Sequence, residues 1–173
     1  MKTQTTITNS LISKQEDLDF YVTKRLFEKN LPDCKLSQTS PYCPVDSFGT
    51  YGDYNFTIEI KSRSKNKEQQ LLYPHAELRV DKYKRMRECS EGLYLFYVVL
   101  VNEEDAYIYN LDTIDMTEIP IVDWTIKRTE YSKDSRTITL PIYQIPYDKA
   151  TKLYCGDYFY DYYKLNYGLD TET

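Results

Sequence analysis

The stretch from Pro44 to Lys61 constrains this chain more than any other. In Phe56-Thr57-Ile58-Glu59-Ile60-Lys61, apolar and polar residues alternate. That period of two marks a strand with one apolar and one polar face. Upstream, Tyr51-Gly52-Asp53-Tyr54 holds a Gly-Asp pair, suited to a two-residue hairpin loop. If Tyr51 pairs with Tyr54, equal steps outward place Asp46 opposite Glu59. Directly opposed side chains have Cβ atoms about 4.5–5.5 Å apart, so two facing carboxylates repel. A divalent cation between them reverses that sign. Lys61 shares the polar face with Glu59 and is placed to meet an anionic substrate. The plainer alternative is an amphipathic hairpin with a Glu59–Lys61 surface pair and Asp46 as a turn residue.

The rest of the chain bounds what such a hairpin can belong to. Its 173 residues suit one domain with a sizeable core. No apolar run approaches the roughly 18 residues of a membrane span, and the polar start, Met1-Lys2-Thr3-Gln4, lacks a signal-peptide core. A cytoplasmic location is expected. Cys34, Cys43, Cys89 and Cys155 form neither C-x-x-C nor zinc spacing and read as reduced thiols. A single histidine, His75, with no nucleophile motif beside it, argues against a Ser-His-Asp hydrolase. Five glycines in all leave no glycine-rich phosphate loop. Net charge is −5, yet from Lys61 to Arg87 nine lysines and arginines stand against three acidic residues. The positive charge needed for phosphate contacts is therefore concentrated just behind the hairpin.

Residues 1–13 are polar and expected to fray. Ser13 as N-cap and Glu16 as its capping-box partner start a helix over 14–30, with Leu18, Tyr21, Val22 and Leu26 on one side. Residues 31–43 form a connection with a short strand, and residues 62–74 a polar basic loop. Pro74 opens a second helix over 75–89, whose basic face carries Arg79, Lys82 and Arg85. Residues 92–101 read as a buried central strand and 106–111 as its neighbour. Residues 112–123 are mixed. Thr137–Ile142 suggests a further strand, at an edge because of Pro141. Residues 147–167 hold seven tyrosines interleaved with aspartates, read as an aromatic element for core packing or as a protein surface.

Asp46 followed by Glu59-Ile60-Lys61 after a turn resembles the active-site signature of the PD-(D/E)XK nuclease superfamily. Val45-Asp46 stands where the family has Pro-Asp; Pro44 is one residue early. The order helix, hairpin, helix, strand, strand is similar to the family's core over residues 14–111. The resemblance implies an α/β single domain: a mixed central sheet flanked by helices, in the restriction-endonuclease-like and Holliday-junction-resolvase-like αβββαβ arrangement, with a tyrosine-rich C-terminal extension over 112–173. It implies an Mg²⁺- or Mn²⁺-dependent endo- or exodeoxyribonuclease. Asp46 and Glu59 are then metal ligands, the Ile60 carbonyl a third, and Lys61 the catalytic lysine. The family often adds an acidic residue from its first helix; of Glu16, Asp19 and Glu28, Glu16 is favoured. Arg63, Lys65, Arg79, Lys82 and Arg85 are the nucleic-acid-binding candidates, with DNA the expected partner. Two other readings remain open: a non-catalytic nucleic-acid-binding module, and an acidic interaction protein forming a homodimer or binding a protein through the tyrosine-rich segment.

Overall fold

The computed structural model describes residues 3–65, 67–127 and 137–168. In chain order it contains α1 (Thr3–Asn30), β1 (Lys35–Gln38), β2 (Ser47–Tyr51), β3 (Tyr54–Arg63), α2 (Lys67–Leu72), β4 (His75–Arg79), α3 (Val80–Cys89), β5 (Tyr94–Val101), β6 (Asp105–Asn110), β7 (Ile121–Lys127), β8 (Thr137–Pro146), β9 (Thr151–Tyr154) and α4 (Gly156–Tyr167). Six strands form one mixed sheet in the order β1-β2-β3-β5-β6-β9, and β4-β8-β7 form a second. Only β3 and β5 of the main sheet run parallel; the crossover between them carries α2, β4 and α3. The fold is α/β, with a mixed central sheet flanked by helices.

The hairpin folds in the register read from its turn. Tyr51 pairs with Tyr54 and Ser47 with Ile58, and Gly52 takes a left-handed φ of 56°, which costs a glycine little. On one face, Phe56, Ile58 and Ile60 pack with Val98 and Leu100 of β5 against Leu18, Val22 and Leu26 of α1. Val22, Ile58 and Val98 are fully buried, each such side chain contributing roughly 1.5–3 kcal/mol of transfer free energy. On the other face, Leu95, Tyr97 and Val99 pack against Met86 of α3, Ala76 and Leu78 of β4 and Ile145 of β8. The second layer has a consequence for β3. Its polar face is covered as far as Glu59: Thr57 is buried and shares a 2.6 Å hydrogen bond with Ser90, and Glu59 is 9% exposed.

Four expectations change. Helix α1 starts at Thr3 and runs through Ser13, so no cap interrupts it there; the Ser13 side chain lies outside the described residues. Residues 62–74 are not one loop, since β3 extends to Arg63 and α2 follows. The helix expected over 75–89 is divided, with His75–Arg79 forming β4 before α3 begins. Its strand partner, residues 142–146 of β8, is remote in sequence, and pairing to it overrides the local helical pattern. Finally, β8 is the central strand of its sheet. Pro141 is tolerated because β4 stops at Arg79, opposite Ile142, so Pro141 has a strand neighbour only in β7 and is locally at an edge.

The tyrosine-rich segment completes the main sheet. Strand β9 pairs with β6, and α4 lies on α1, with Tyr162 packed 5.3 Å from Tyr21 and Phe159 buried in the α1-side core. Tyr163 donates a 2.7 Å hydrogen bond to Glu103. Tyr154, Tyr160 and Tyr167 remain exposed.

Candidate active site

Beyond Ser47 the hairpin strands begin to part. The ladder continues for one bond, Asp46 N–H to the Ile58 carbonyl at 2.9 Å. The next free donor, the Ile60 N–H, is taken by the Asp46 side chain, at 2.6 Å to Oδ2. Asp46 is thereby fixed across from Glu59. The segment before it is tied down as well: Thr39 N–H donates to the Asp46 carbonyl at 2.9 Å, and Val45 is buried in the core beneath.

Glu59 is buried beside a like charge. Burial first, and the Asp46 carboxylate second, push its pKa up to about 8, while Lys82 pulls it down. Lys82 reaches in from α3, its Nζ 3.0 Å from Glu59 Oε1. Among the described residues, Glu59 Oε2 is buried without a hydrogen-bond partner, a costly state for a polar oxygen. Lys61 follows on the same face and is exposed. Desolvation by the surrounding protein, and then the Arg63 charge, lower its pKa, which favours a role in moving a proton.

These residues line a pocket of about 800 Å³ between α1, the 38–46 segment, β3 and α3. Five carboxylates border it (Glu16, Asp17, Asp19, Asp46 and Glu59) against two lysines, Lys61 and Lys82. From α1, Glu16 is exposed at the rim. Asp19 sits deeper: its Oδ1 accepts 2.7 Å hydrogen bonds from Ser62 and from Gln15. Burial raises the Asp19 pKa against those bonds, Asp46 raises it further, and Lys61 opposes. Asp19 is thus electrostatically joined to Asp46 and Lys61.

The basic candidates separate. Lys82 is part of the pocket rather than of an outer face. Arg79 is held by Asp81 through two bonds, at 2.9 and 2.6 Å, and Arg85 lies 3.6 Å from the same carboxylate. Arg63 pairs with Glu77 at 3.2 Å. Lys65, expected at a nucleic-acid surface, is turned inward: it is 9% exposed, and its Nζ donates to Glu77 and to the carbonyls of Tyr73 and His75. A buried glutamate needs that countercharge. The Lys82–Glu59 pair is not legible in the sequence, because it joins α3 to β3 through tertiary packing alone.

Among the described residues, no group of three or more His, Cys, Asp and Glu side chains is gathered as a ready metal cage. The donor set nonetheless fits a hard cation. It offers two adjacent carboxylates and an orphaned buried oxygen in a carboxylate-rich pocket, and oxygen ligands suit Mg²⁺ and Mn²⁺.

No family model matches the chain, and no curated protein matches it. Among solved structures, it is similar to a Holliday junction resolvase, Hjc, from the archaeal hyperthermophile Archaeoglobus fulgidus. The identity is 13% and the TM-score 0.44, over 77% of this chain and 96% of that one.

Proposed function

We propose that the chain is a metal-dependent nuclease of the PD-(D/E)XK type, hydrolysing phosphodiester bonds of DNA in the cytoplasm. The observation that carries this reading is the Asp46 carboxylate, bonded to the Ile60 N–H just past the end of the hairpin ladder and interacting with the buried Glu59 beside it, with Lys61 next on the same strand face. Two adjacent carboxylates balanced by Lys82 alone, with one buried oxygen unpartnered among the described residues, are unfavourable, and a cation between them would offset that cost.

Asp46 and Glu59 would hold Mg²⁺ or Mn²⁺, with the Ile60 carbonyl and Asp19 or Glu16 as further oxygen donors. When bound, such an ion lowers the pKa of a water and offsets charge on the phosphate. Asp46 is oriented for this by the Ile60 N–H. Asp19 is fixed by Ser62 and Gln15, which hold it at the α1 wall. Lys61, with its lowered pKa, orients the attacking water and holds or accepts its proton, and its charge stabilises the developing oxyanion. Lys82 balances Glu59 and is the second cation facing the substrate. Arg79 and Arg85 supply outer phosphate contacts once Asp81 releases them.

The test is incubation with single-stranded, duplex and branched DNA, with the corresponding RNAs as controls, in Mg²⁺, in Mn²⁺ and in EDTA. Cleavage of DNA with either metal and none in EDTA is expected. Metal-independent binding with no cleavage of any substrate would replace the nuclease reading with that of a binding module.

A further inference from the structure

We propose that Cys43 and Cys89 are a disulfide-forming pair, oxidised by a two-electron oxidant such as hydrogen peroxide, and that the bond staples one wall of the acidic pocket to the other. The inference does not depend on the nuclease reading. The two sulfurs lie 3.5 Å apart although the residues are 46 positions apart in sequence. A disulfide requires an S–S distance of about 2.03–2.05 Å, so the pair must close by roughly 1.5 Å. Cys89 is exposed and Cys43 half-buried, so an oxidant reaches the pair. The other two cysteines, Cys34 and Cys155, are buried and serve as internal controls.

The position of the pair gives the bond its effect. Cys43 lines the pocket three residues before Asp46, on a segment held by the bonds from Cys43 N–H to the Ser40 carbonyl and from Thr39 N–H to the Asp46 carbonyl, both 2.9 Å. Cys89 is the last residue of α3, the helix that carries Lys82 to Glu59. A bond between them fixes the Asp46 segment against α3.

The chemistry balances with peroxide. The Cys89 sulfur attacks one peroxide oxygen, the O–O bond breaks, and a sulfenic acid and one water result. The Cys43 sulfur then attacks the sulfenic sulfur, the S–O bond breaks, and the departing hydroxide takes the second thiol proton to leave as water. Two thiols lose two electrons in all and peroxide gains them.

The experiment treats the full chain with hydrogen peroxide, alkylates the remaining thiols, and maps peptides without reduction. Expected is a monomeric product lighter by two hydrogens, with one Cys43–Cys89 linked peptide and with Cys34 and Cys155 alkylated after unfolding. Its unfolding midpoint should exceed that of the reduced chain, since a cross-link restricts the unfolded state. The increase should vanish on dithiothreitol treatment and in Cys89→Ser. Alkylation of both Cys43 and Cys89 after oxidation, linkage only between two chains, or a linked product with an unchanged midpoint would each overturn the proposal. Because metal plays no part in the readout, such a failure would leave the nuclease reading standing.

Discussion

Glu59 and Glu77 are buried to the same extent, each 9% exposed, yet they are held in opposite ways. Both Glu77 oxygens are paired: Oε1 with Lys65 at 3.1 Å and Oε2 with Arg63 at 3.2 Å. The residue ties β4 to β3, and the Tyr97 hydroxyl donates to its backbone carbonyl at 2.8 Å. Among the described residues, Glu59 pairs with Lys82 through Oε1, and its Oε2 has no hydrogen-bond partner. The Asp46 carboxylate beside it adds a repulsion. Compensated burial is what a structural ion pair requires. Incomplete compensation in an open pocket is common at functional sites, and in the proposed reading a cation would complete it.

The largest effect that should separate the two regions is on cleavage. Lys61→Ala is expected to keep the fold, because Lys61 is exposed, and to lose roughly 10²–10⁴-fold in DNA cleavage rate, the usual weight of a proton-transfer group. Single-turnover cleavage by the folded variant measures it, and wild-type turnover would remove Lys61 from the site.

Next comes stability. Glu77→Gln should cost about 3–5 kcal/mol, the usual penalty for leaving a buried partner uncompensated, here Lys65. Glu59→Gln should be no less stable than wild type in EDTA at pH 8, since it removes a repulsion with Asp46. Denaturant unfolding of both variants reads this directly; equal losses at the two positions would erase the contrast between them.

The third difference is in pH dependence. Native Glu59 titrates at about 8, against an ordinary value of 4.5. Between these values the metal-free native state holds a proton that the unfolded state has released. Its stability contribution is therefore full below the lower value and is lost as pH rises through the upper one. The unfolding free energy in EDTA should fall across this window, and Glu59→Gln should flatten the fall. By the same linkage, Mg²⁺ affinity should rise with pH toward 8. A wild-type profile that matches Glu59→Gln would show that Glu59 ionises as an ordinary glutamate.

How much of this is legible in the sequence follows from the range of the interactions. The hairpin register, the Asp46–Glu59 opposition and Lys61 on the same face come from a turn and a period of two, both local. The central strand 94–101 is marked by its apolar, β-branched run. Strand β4 is hidden because its hydrogen-bond partner lies in residues 142–146. Lys82 reads as a surface charge because nothing in its neighbourhood encodes its approach to Glu59. Asp19 cannot be told from Glu16 by spacing, since the two sit on nearby turns of one helix and only the packing of Ser62 against it distinguishes them. The inward turn of Lys65 depends on Glu77 in a strand that the local pattern conceals.

The smallest expected effect concerns the outer charges. Asp81 holds Arg79 and Arg85, so Asp81→Asn should release both toward phosphate. The slope of log K against log salt should steepen by roughly 0.7–0.9 for each additional phosphate neutralised. Titration of catalytically inactive protein with duplex DNA at several salt concentrations measures it; an unchanged slope would place both arginines outside the DNA path.

The most direct test of the metal site is thermal unfolding of wild type and Asp46→Asn, each in Mg²⁺ and in EDTA. If Asp46 and Glu59 hold a cation, Mg²⁺ raises the wild-type midpoint, because a ligand stabilises the state that binds it. Asp46→Asn then equals or exceeds wild type in EDTA at a pH above 8, where Glu59 is ionised and one of two facing charges is gone, and its midpoint rises little with Mg²⁺. The same loss of stability in both buffers, with no effect of Mg²⁺ on wild type, would make Asp46 a structural residue of the hairpin and contradict the site.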